Sequence, residues 1–191
     1  MPLRIQEIHP ALVHYPLALL PTALVADALG AATGSETLLG MGKICIAATL
    51  VTGTVAGAFG FVAQEAANTN EHTHALLATH RNGNLAVLGI TALMTADRIG
   101  RRRPTPGYLA WGAVALGIAG YTAYLGGRMV YEHGLGVKPA GGVRTEDAPE
   151  LRVDNVAEPA AVATDHLRTG LHDVPRDLGR GEFAPALGRE A

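Results

Sequence analysis

The chain has 191 residues, enough for one domain and a tail, and 48% of them are hydrophobic while only 17% are charged. A charged fraction this far below the usual ~25% favours a membrane protein. The formal net charge of -2 gives no indication of a nucleic-acid partner. One serine and one cysteine leave little material for a nucleophilic triad and none for a disulfide within the chain.

Four apolar segments approach the ~20 residues that a helix needs to cross a bilayer. The predicted spans cover about residues 10–32, 43–63, 75–96 and 108–131. The third is the most polar, because Arg81, Asn82 and Asn84 interrupt it, and we expect its first turns to lie at the headgroups or to face the bundle interior. The sequence therefore predicts an all-α fold, an integral membrane four-helix bundle over residues 1–137.

Beyond this domain the composition changes. Residues 138–191 are rich in proline, glycine and charged side chains and hold few large apolar ones. This composition predicts a polar, flexible and largely disordered C-terminal tail. The one helix we expect there is short, over about residues 160–171, and it carries Asp165 and His166.

The placement of arginine and lysine predicts the orientation of the spans. The loop between the third and fourth spans carries Arg98 and the run 101–103, and Lys43 ends the other loop on that side. Basic residues concentrate in cytoplasmic loops, so we place this side in the cytoplasm. Both termini then face outward, towards a periplasm or its equivalent.

Small residues and prolines mark the predicted helices. Gly53, Gly57 and Gly60 follow one another in the second span, and the fourth span carries Gly112, Gly117 and Gly120. Such residues let membrane helices approach closely, and they can equally make room for a flat cofactor. Pro16 and Pro21 predict kinks in the first span.

Six of the eight histidines lie near the same predicted end of the bundle: His9, His14, His72, His74, His80 and His133. Because the spans alternate in direction, His14, His80 and His133 come from three helices at a similar depth. His9 and His14 are five residues apart, roughly 140° around a helix, so both cannot point at one site if both are helical. Intramembrane imidazoles at one depth indicate a shared ligand site.

Three interpretations fit this cluster. Two neutral imidazoles can ligate the iron of haem b axially, with Arg81 and Arg128 pairing with its propionates and Gly126 and Gly127 leaving room for the macrocycle. Copper or zinc is the second, although no closely spaced ligand pair shares a helix face. The third is a cofactor-free polar cluster in which the histidines hydrogen-bond helices together.

Three stretches resemble a bacterial membrane family known as domain of unknown function 2231. Residues 9–16, HPALVHYP, resemble the family's H-P-x-x-V-H-F-P opening. His80 with Asn84 resembles its H-x-x-x-N, at the start of the third helix. Residues 126–137, GGRMVYEHGLGV, resemble its closing G-G-x-L-V-Y-x-H-G-x-G-V. The resemblance covers about residues 8–137 and leaves the tail outside.

The resemblance implies a four-helix domain in the bacterial inner membrane and singles out His9, His14, His80 and His133. It implies no established activity, but similar domains are thought to be b-type cytochrome-like. We therefore predict a haem b protein with His14 and His80 as axial ligands, and with His9 and His133 as a second pair or as supporting donors. We expect the protein to be an electron-transfer or binding subunit rather than a self-contained enzyme.

A redox site at one face cannot carry electrons across ~30 Å of hydrocarbon alone. We therefore expect a redox partner, or a larger membrane complex, on the outer face of the lipid bilayer. The alternatives are a structural or assembly subunit without a cofactor and a copper- or zinc-binding membrane protein.

Overall fold

The computed structural model describes residues 3–144, 150–151 and 154–188, which form helices and no β-strand. The all-α prediction is confirmed. In chain order the α-helices are α1 Ile8–Leu12, α2 His14–Thr33, α3 Glu36–Glu65, α4 Glu71–Gly100, α5 Pro106–Tyr131 and α6 Ala157–Gly179. Short 3-10 helices occupy Ile5–Glu7, Lys138–Ala140 and Pro185–Gly188.

Local side-chain chemistry sets several helix ends. Gly34 ends α2 with a φ of 74°, a left-handed conformation that glycine adopts without a steric penalty. Asn70 caps α4, since its Oδ1 accepts a hydrogen bond of 2.9 Å from the N–H of Thr73, whose Oγ1 in turn accepts one of 2.8 Å from the N–H of Asn70. Thr105 caps α5 by accepting a 3.1 Å bond from the N–H of Tyr108.

The four predicted spans coincide with α1 together with α2, with α3, with α4 and with α5. By length and composition, the described residues contain three stretches suited to crossing a membrane, Ile5–Thr33, Glu36–Glu65 and Pro106–Tyr131. Helix α4 has the same 30-residue length as α3 but does not belong to this set, because its first half is polar. The helix predicted for the third span is present, and it is the least apolar of the four.

The two prolines of the first span act differently. Val13 separates α1 from α2, and Pro16 follows in the first turn of α2, where a helix has no donor to lose. Val13 itself keeps right-handed helical backbone angles, so the chain continues from α1 into α2 without leaving the helical region there. Pro21 lies inside α2, where its missing N–H leaves the carbonyl of Leu17 without its helical donor, as predicted.

The chain divides into two compact units, each assembled from separate stretches of sequence. The histidine unit comprises the described residues of Met1–Ala11, Ala56–Gly83 and Thr122–Ala191. The ion-pair unit comprises Leu12–Val55 and Asn84–Tyr121. Helices α3, α4 and α5 each contribute one part to each unit.

The ion-pair unit has an apolar core in which large side chains alternate with alanines. Its buried members are Leu20, Ala23, Ile46, Met94, Tyr108, Ala115 and Ala119. Gly112 belongs to this packing, because a Cβ there would overlap Cδ2 of Leu24. Gly117 and Gly120 have nothing within 4 Å of such a Cβ. Close packing therefore explains Gly112 and leaves the other two glycines of the predicted set facing open space.

The histidine unit contains most of the predicted tail. The short helix expected over residues 160–171 is longer, because α6 runs from Ala157 to Gly179. Helix α6 is amphipathic and lies within the same unit as the ends of α3, α4 and α5. The flexibility expected for 138–191 falls partly on residues 145–149, 152–153 and 189–191, which lie outside the described residues.

Candidate functional site

His9 is held by the backbone of α3. Its Nδ1 lies 2.9 Å from the carbonyl oxygen of Ala56. A carbonyl oxygen can only accept, so Nδ1 carries the proton and donates it. Gly60, one helical turn after Ala56, lies against the ring, where a Cβ would come within 3.1 Å of Cε1 of His9. The bare helix surface at Gly60 is what allows the imidazole to reach this carbonyl.

His80 repeats this arrangement on α4 and α5. Its Nδ1 donates a hydrogen bond of 2.7 Å to the carbonyl oxygen of Thr122. Gly126, again one turn further along the helix, lies against the ring, where a Cβ would come within 3.4 Å of Cε1 of His80. The ring of His80 is partly buried. Two histidines from different helices thus make the same pair of contacts with a carbonyl and the glycine four residues later.

These two imidazoles belong together chemically. Both lie in the histidine unit, and both make the same two contacts with a facing helix. When such a ring is neutral and its Nδ1 donates to a carbonyl, Nε2 carries the lone pair, which is the form in which imidazole binds a metal ion. A hydrogen bond from the opposite nitrogen also orients such a ligand and raises its basicity. The histidine unit therefore contains, in His9 and His80, two imidazoles oriented through Nδ1.

A second pair of imidazoles lies in the same unit. The rings of His72 and His133 meet edge to face, with their centroids 5.2 Å apart. Nε2 of His133 is buried and has no hydrogen-bond partner among the described residues, since Oε2 of Glu132 is 4.0 Å away. His72 itself is exposed. His74, on the first turn of α4, is also exposed.

His14 and Asn84 fall in the other unit. His14 begins α2 and is exposed, and Asn84 lies one turn after His80 on α4, on the same helix face. The histidine unit thus contains His9, His80 and His133 of the predicted site. It does not contain His14, the residue that sequence reasoning paired with His80.

Both predicted propionate-binding arginines have carboxylate partners within the chain. Nη2 of Arg81 lies 2.7 Å from Oδ2 of Asp177, and Nη1 donates to Oε1 of Gln64 at 3.4 Å. Nε of Arg128 lies 2.9 Å from Oε2 of Glu132, one turn along α5. The two guanidinium groups therefore sit in the histidine unit, as expected, with their charge already matched by acidic side chains.

A copper or zinc site would need several ligands in one place. In the described part of the chain, no three histidine, cysteine, aspartate or glutamate side chains gather in a way that could hold a metal ion.

Gly127, predicted to leave room for a macrocycle together with Gly126, has nothing within 4 Å of the point where a Cβ would lie. Cys45 is a free thiol in the ion-pair unit.

Sequence reasoning missed one charged pair. Asp27 and Arg98 form a salt bridge of 2.7 Å in the ion-pair unit, with side chains 0% and 1% exposed. The sequence analysis placed Arg98 in a cytoplasmic loop, whereas it is a buried residue of α4. The available signal was an acidic residue within an apolar helix, which requires a partner when it is buried.

The comparisons with known proteins agree with this helical membrane architecture. The family model for DUF2231, described as a predicted membrane protein, matches residues 6–139. No curated protein and no solved structure matches the chain significantly. The matched range includes His9, His80 and His133 and ends before α6 begins. The chain therefore belongs to the DUF2231 family of predicted membrane proteins.

Proposed function

We propose that this membrane protein binds haem b through His9 and His80 and serves electron transfer. The observation that carries the proposal is the repeated contact of these two rings, each with Nδ1 donating to a helix carbonyl, at 2.9 Å for His9 and 2.7 Å for His80. This arrangement supplies two neutral, oriented imidazoles from different helices. Two imidazoles from different helices are the protein groups that would hold the iron of haem b.

The surrounding residues fit a haem. Gly60 and Gly126 keep the helix surface bare where each imidazole packs, so each ring lies directly against a helix backbone. The carbonyls of Ala56 and Thr122 fix the ring orientations and strengthen the ligands. When bound, haem supplies reversible one-electron chemistry at its iron.

His9 replaces His14 as the partner of His80 in this proposal. The support for His9 is that it shares a unit with His80 and makes the same carbonyl and glycine contacts. His133, with its unsatisfied buried Nε2, is a candidate for a supporting donor near the site. Arg128 would receive a haem propionate in exchange for the carboxylate of Glu132, and Arg81, which keeps Asp177, would offer its other N–H groups to the second propionate.

The proposal includes a location and a partner. We place the protein in the inner membrane of a bacterium with the histidine unit at the periplasmic face, because exposed arginines 101–103 follow the opposite end of α4. A haem near one face cannot reach across ~30 Å of hydrocarbon. Its electrons would then pass to a partner on that face or within a larger membrane complex.

A second candidate is a structural or assembly subunit without a cofactor. The same observation favours it, because each histidine bond connects one helix to another: α1 to α3 through His9, and α4 to α5 through His80. In that case the rings serve to hold helices together, and metal ligation by Nε2 is not required.

Asparagine substitutions separate the two candidates. The amide N–H of asparagine can replace Nδ1 as donor to the carbonyl but offers nothing in place of Nε2. We would record the reduced-minus-oxidised visible spectrum of the full-length protein, and of His9→Asn and His80→Asn, after expression with ample haem. His74→Asn, at an exposed histidine of the same unit, is the matched control.

Haem ligation predicts Soret and α bands in the parent and in the control and their loss in both asparagine variants, with thermal stability preserved. His14→Asn should retain the bands. A parent protein without these bands would overturn haem binding and favour the structural role. Bands that survive His9→Asn but vanish in His14→Asn would show that His14, and not His9, ligates the iron.

A further inference from the structure

The C-terminal segment, residues 157–188, is attached to α4 by an ion pair. Nη2 of Arg81 lies 2.7 Å from Oδ2 of Asp177 on α6, and the two side chains are only 9% and 11% exposed. An ion pair this well buried adds little net stability when it is intact. Removing one partner is strongly destabilising, because the other charge is left buried without it. This ion pair, called the latch below, therefore joins α6 to α4.

Further polar contacts follow the latch along the chain. Asn82 donates from Nδ2 to the carbonyl oxygens of Glu182 and Phe183, at 2.9 and 3.1 Å. The N–H of Ala186 donates to Oγ1 of Thr79 at 3.0 Å, in a buried position. The segment thus uses backbone groups beyond α6 to follow the surface of α4.

An apolar contact holds the middle of α6. Gly170 lies so close to Phe61 of α3 that a Cβ on the glycine would collide with Cδ1 of the ring. Gly170 is buried in consequence. Helix α6 is therefore fitted to α3 and α4 by shape as well as by charge.

The position of these contacts relates the segment to the histidines. Thr79, Arg81 and Asn82 flank His80 in the sequence and lie on the same turn of α4. The family match covers residues 6–139, so the segment lies outside the part of the chain that the family shares.

We propose that residues 157–188 form a lid that closes over the His80 turn of α4 and opens when the Asp177–Arg81 latch breaks. The lid is closed in the structure, and α6 moves away from α3 and α4 when it opens. Opening uncovers Thr79, Arg81 and Asn82. The lid thereby controls the access of water and of other molecules to the turn that carries His80. This inference does not depend on a bound cofactor.

Thiol labelling of the full-length protein tests the lid. In a Cys45→Ser background, Ala186→Cys places a thiol at a position that is 4% exposed and keeps the backbone bond to Thr79. Leu187→Cys, at the next residue, is 63% exposed and serves as the control for access of the reagent. The labelling rate at each position is measured with a water-soluble maleimide.

The latch is broken by Asp177→Asn, which preserves the size of the side chain. The matched variant is Asp173→Asn, one turn earlier on α6, where the carboxylate lies 3.5 Å from Nδ1 of the exposed His172. We expect Asp177→Asn to accelerate labelling of Ala186→Cys about tenfold or more, since unpairing a mostly buried charge favours the open state. Asp173→Asn should change that rate by less than about twofold.

Gly170→Val opens the lid independently of the latch, because its side chain meets the ring of Phe61. It should also accelerate labelling of Ala186→Cys while leaving Leu187→Cys unchanged. Arg81→Gln removes the α4 partner of the latch. If Asp177→Asn does not fold, the labelling rate of Ala186→Cys is measured in Arg81→Gln instead. Equal rates at the two thiol positions in the parent would overturn the lid. An unchanged rate at Ala186→Cys when the latch is broken would overturn the role of the ion pair.

Discussion

Arg98 and Asp27 form a two-point ion pair, with Nη2 2.7 Å from Oδ1 and Nε 3.2 Å from Oδ2. Their side chains are 1% and 0% exposed. Arg98 also donates to the carbonyl oxygens of Leu39, at 2.9 Å, and Arg101, at 2.8 Å. The guanidinium therefore has acceptors in several directions, which is the condition under which a buried charge is tolerated. This pair ties α2 to α4 within the ion-pair unit.

Asp27→Asn should destabilise the protein strongly. The substitution removes the negative charge and leaves the guanidinium of Arg98 buried without it, for which the expected loss in unfolding free energy is about 3–5 kcal/mol. The measurement is the midpoint of thermal or denaturant unfolding of the purified protein in detergent.

The neighbouring pair of Asp97 and Arg101 provides the control. Its atoms lie as close, at 2.7 Å, but the two side chains are 31% and 58% exposed. Asp97→Asn should therefore cost no more than about 1 kcal/mol. If Asp27→Asn were as mild as Asp97→Asn, the buried pair would not be important for stability.

Gly42 offers a second route to the same pair. A Cβ at Gly42 would collide with Oδ1 of Asp27, so Gly42→Ala should push the carboxylate away from Arg98 and lower the unfolding midpoint. Gly40, two residues earlier on α3, has nothing within 4 Å of such a Cβ. Gly40→Ala should be neutral or stabilising by up to about 1 kcal/mol, since alanine favours the helix. Equal effects of the two alanines would argue against this packing.

The long helices were predictable because their apolar runs are long and bounded by polar or glycine-rich loops. The ion pair was not, because its members are 71 residues apart and periodicity does not reveal which charges meet. Counting Arg98 as a loop charge was wrong for the same reason, since α4 continues to Gly100. The exposed arginines 101–103 still provide the basic end on which the orientation depends.

The histidine cluster was predictable only in part. Alternating helices led us to expect His80 and His133 together, and the histidine unit contains both. The bonding partners of His9 and His80 are main-chain carbonyls, which exist at every residue and leave no mark in the sequence. What the sequence does carry is the glycine one turn after each carbonyl, at Gly60 and Gly126, and this signal has meaning only once the facing ring is known.

Those two glycines give a prediction for the proposed haem site. Gly60→Val and Gly126→Val each add a side chain where an imidazole now packs, so they should displace His9 or His80 and abolish the haem bands in the visible spectrum. Gly127→Val, at the next position of α5, adds the same side chain into open space and should keep the bands. Spectra unaffected by all three substitutions would contradict ligation by these histidines.

The number of membrane crossings can be decided at α4, the least apolar of the four long helices. If α4 crosses, the loop before it and the chain after α5 face the periplasm, while the start of α3 at Thr37 and the loop at Arg102 face the cytoplasm. A membrane-impermeant maleimide added to intact cells should then label Asn68→Cys and Lys138→Cys, each in a Cys45→Ser background.

Thr37→Cys and Arg102→Cys are the matched positions, because both are exposed and should react only after the membrane is permeabilised. The decisive comparison is between Asn68→Cys and Arg102→Cys, which lie just before and just after α4. Four crossings require them to react on opposite sides. If both react in intact cells, or neither does, α4 stays on one side of the bilayer, α5 is the third crossing, and the segment after α5 faces away from the loop before α4.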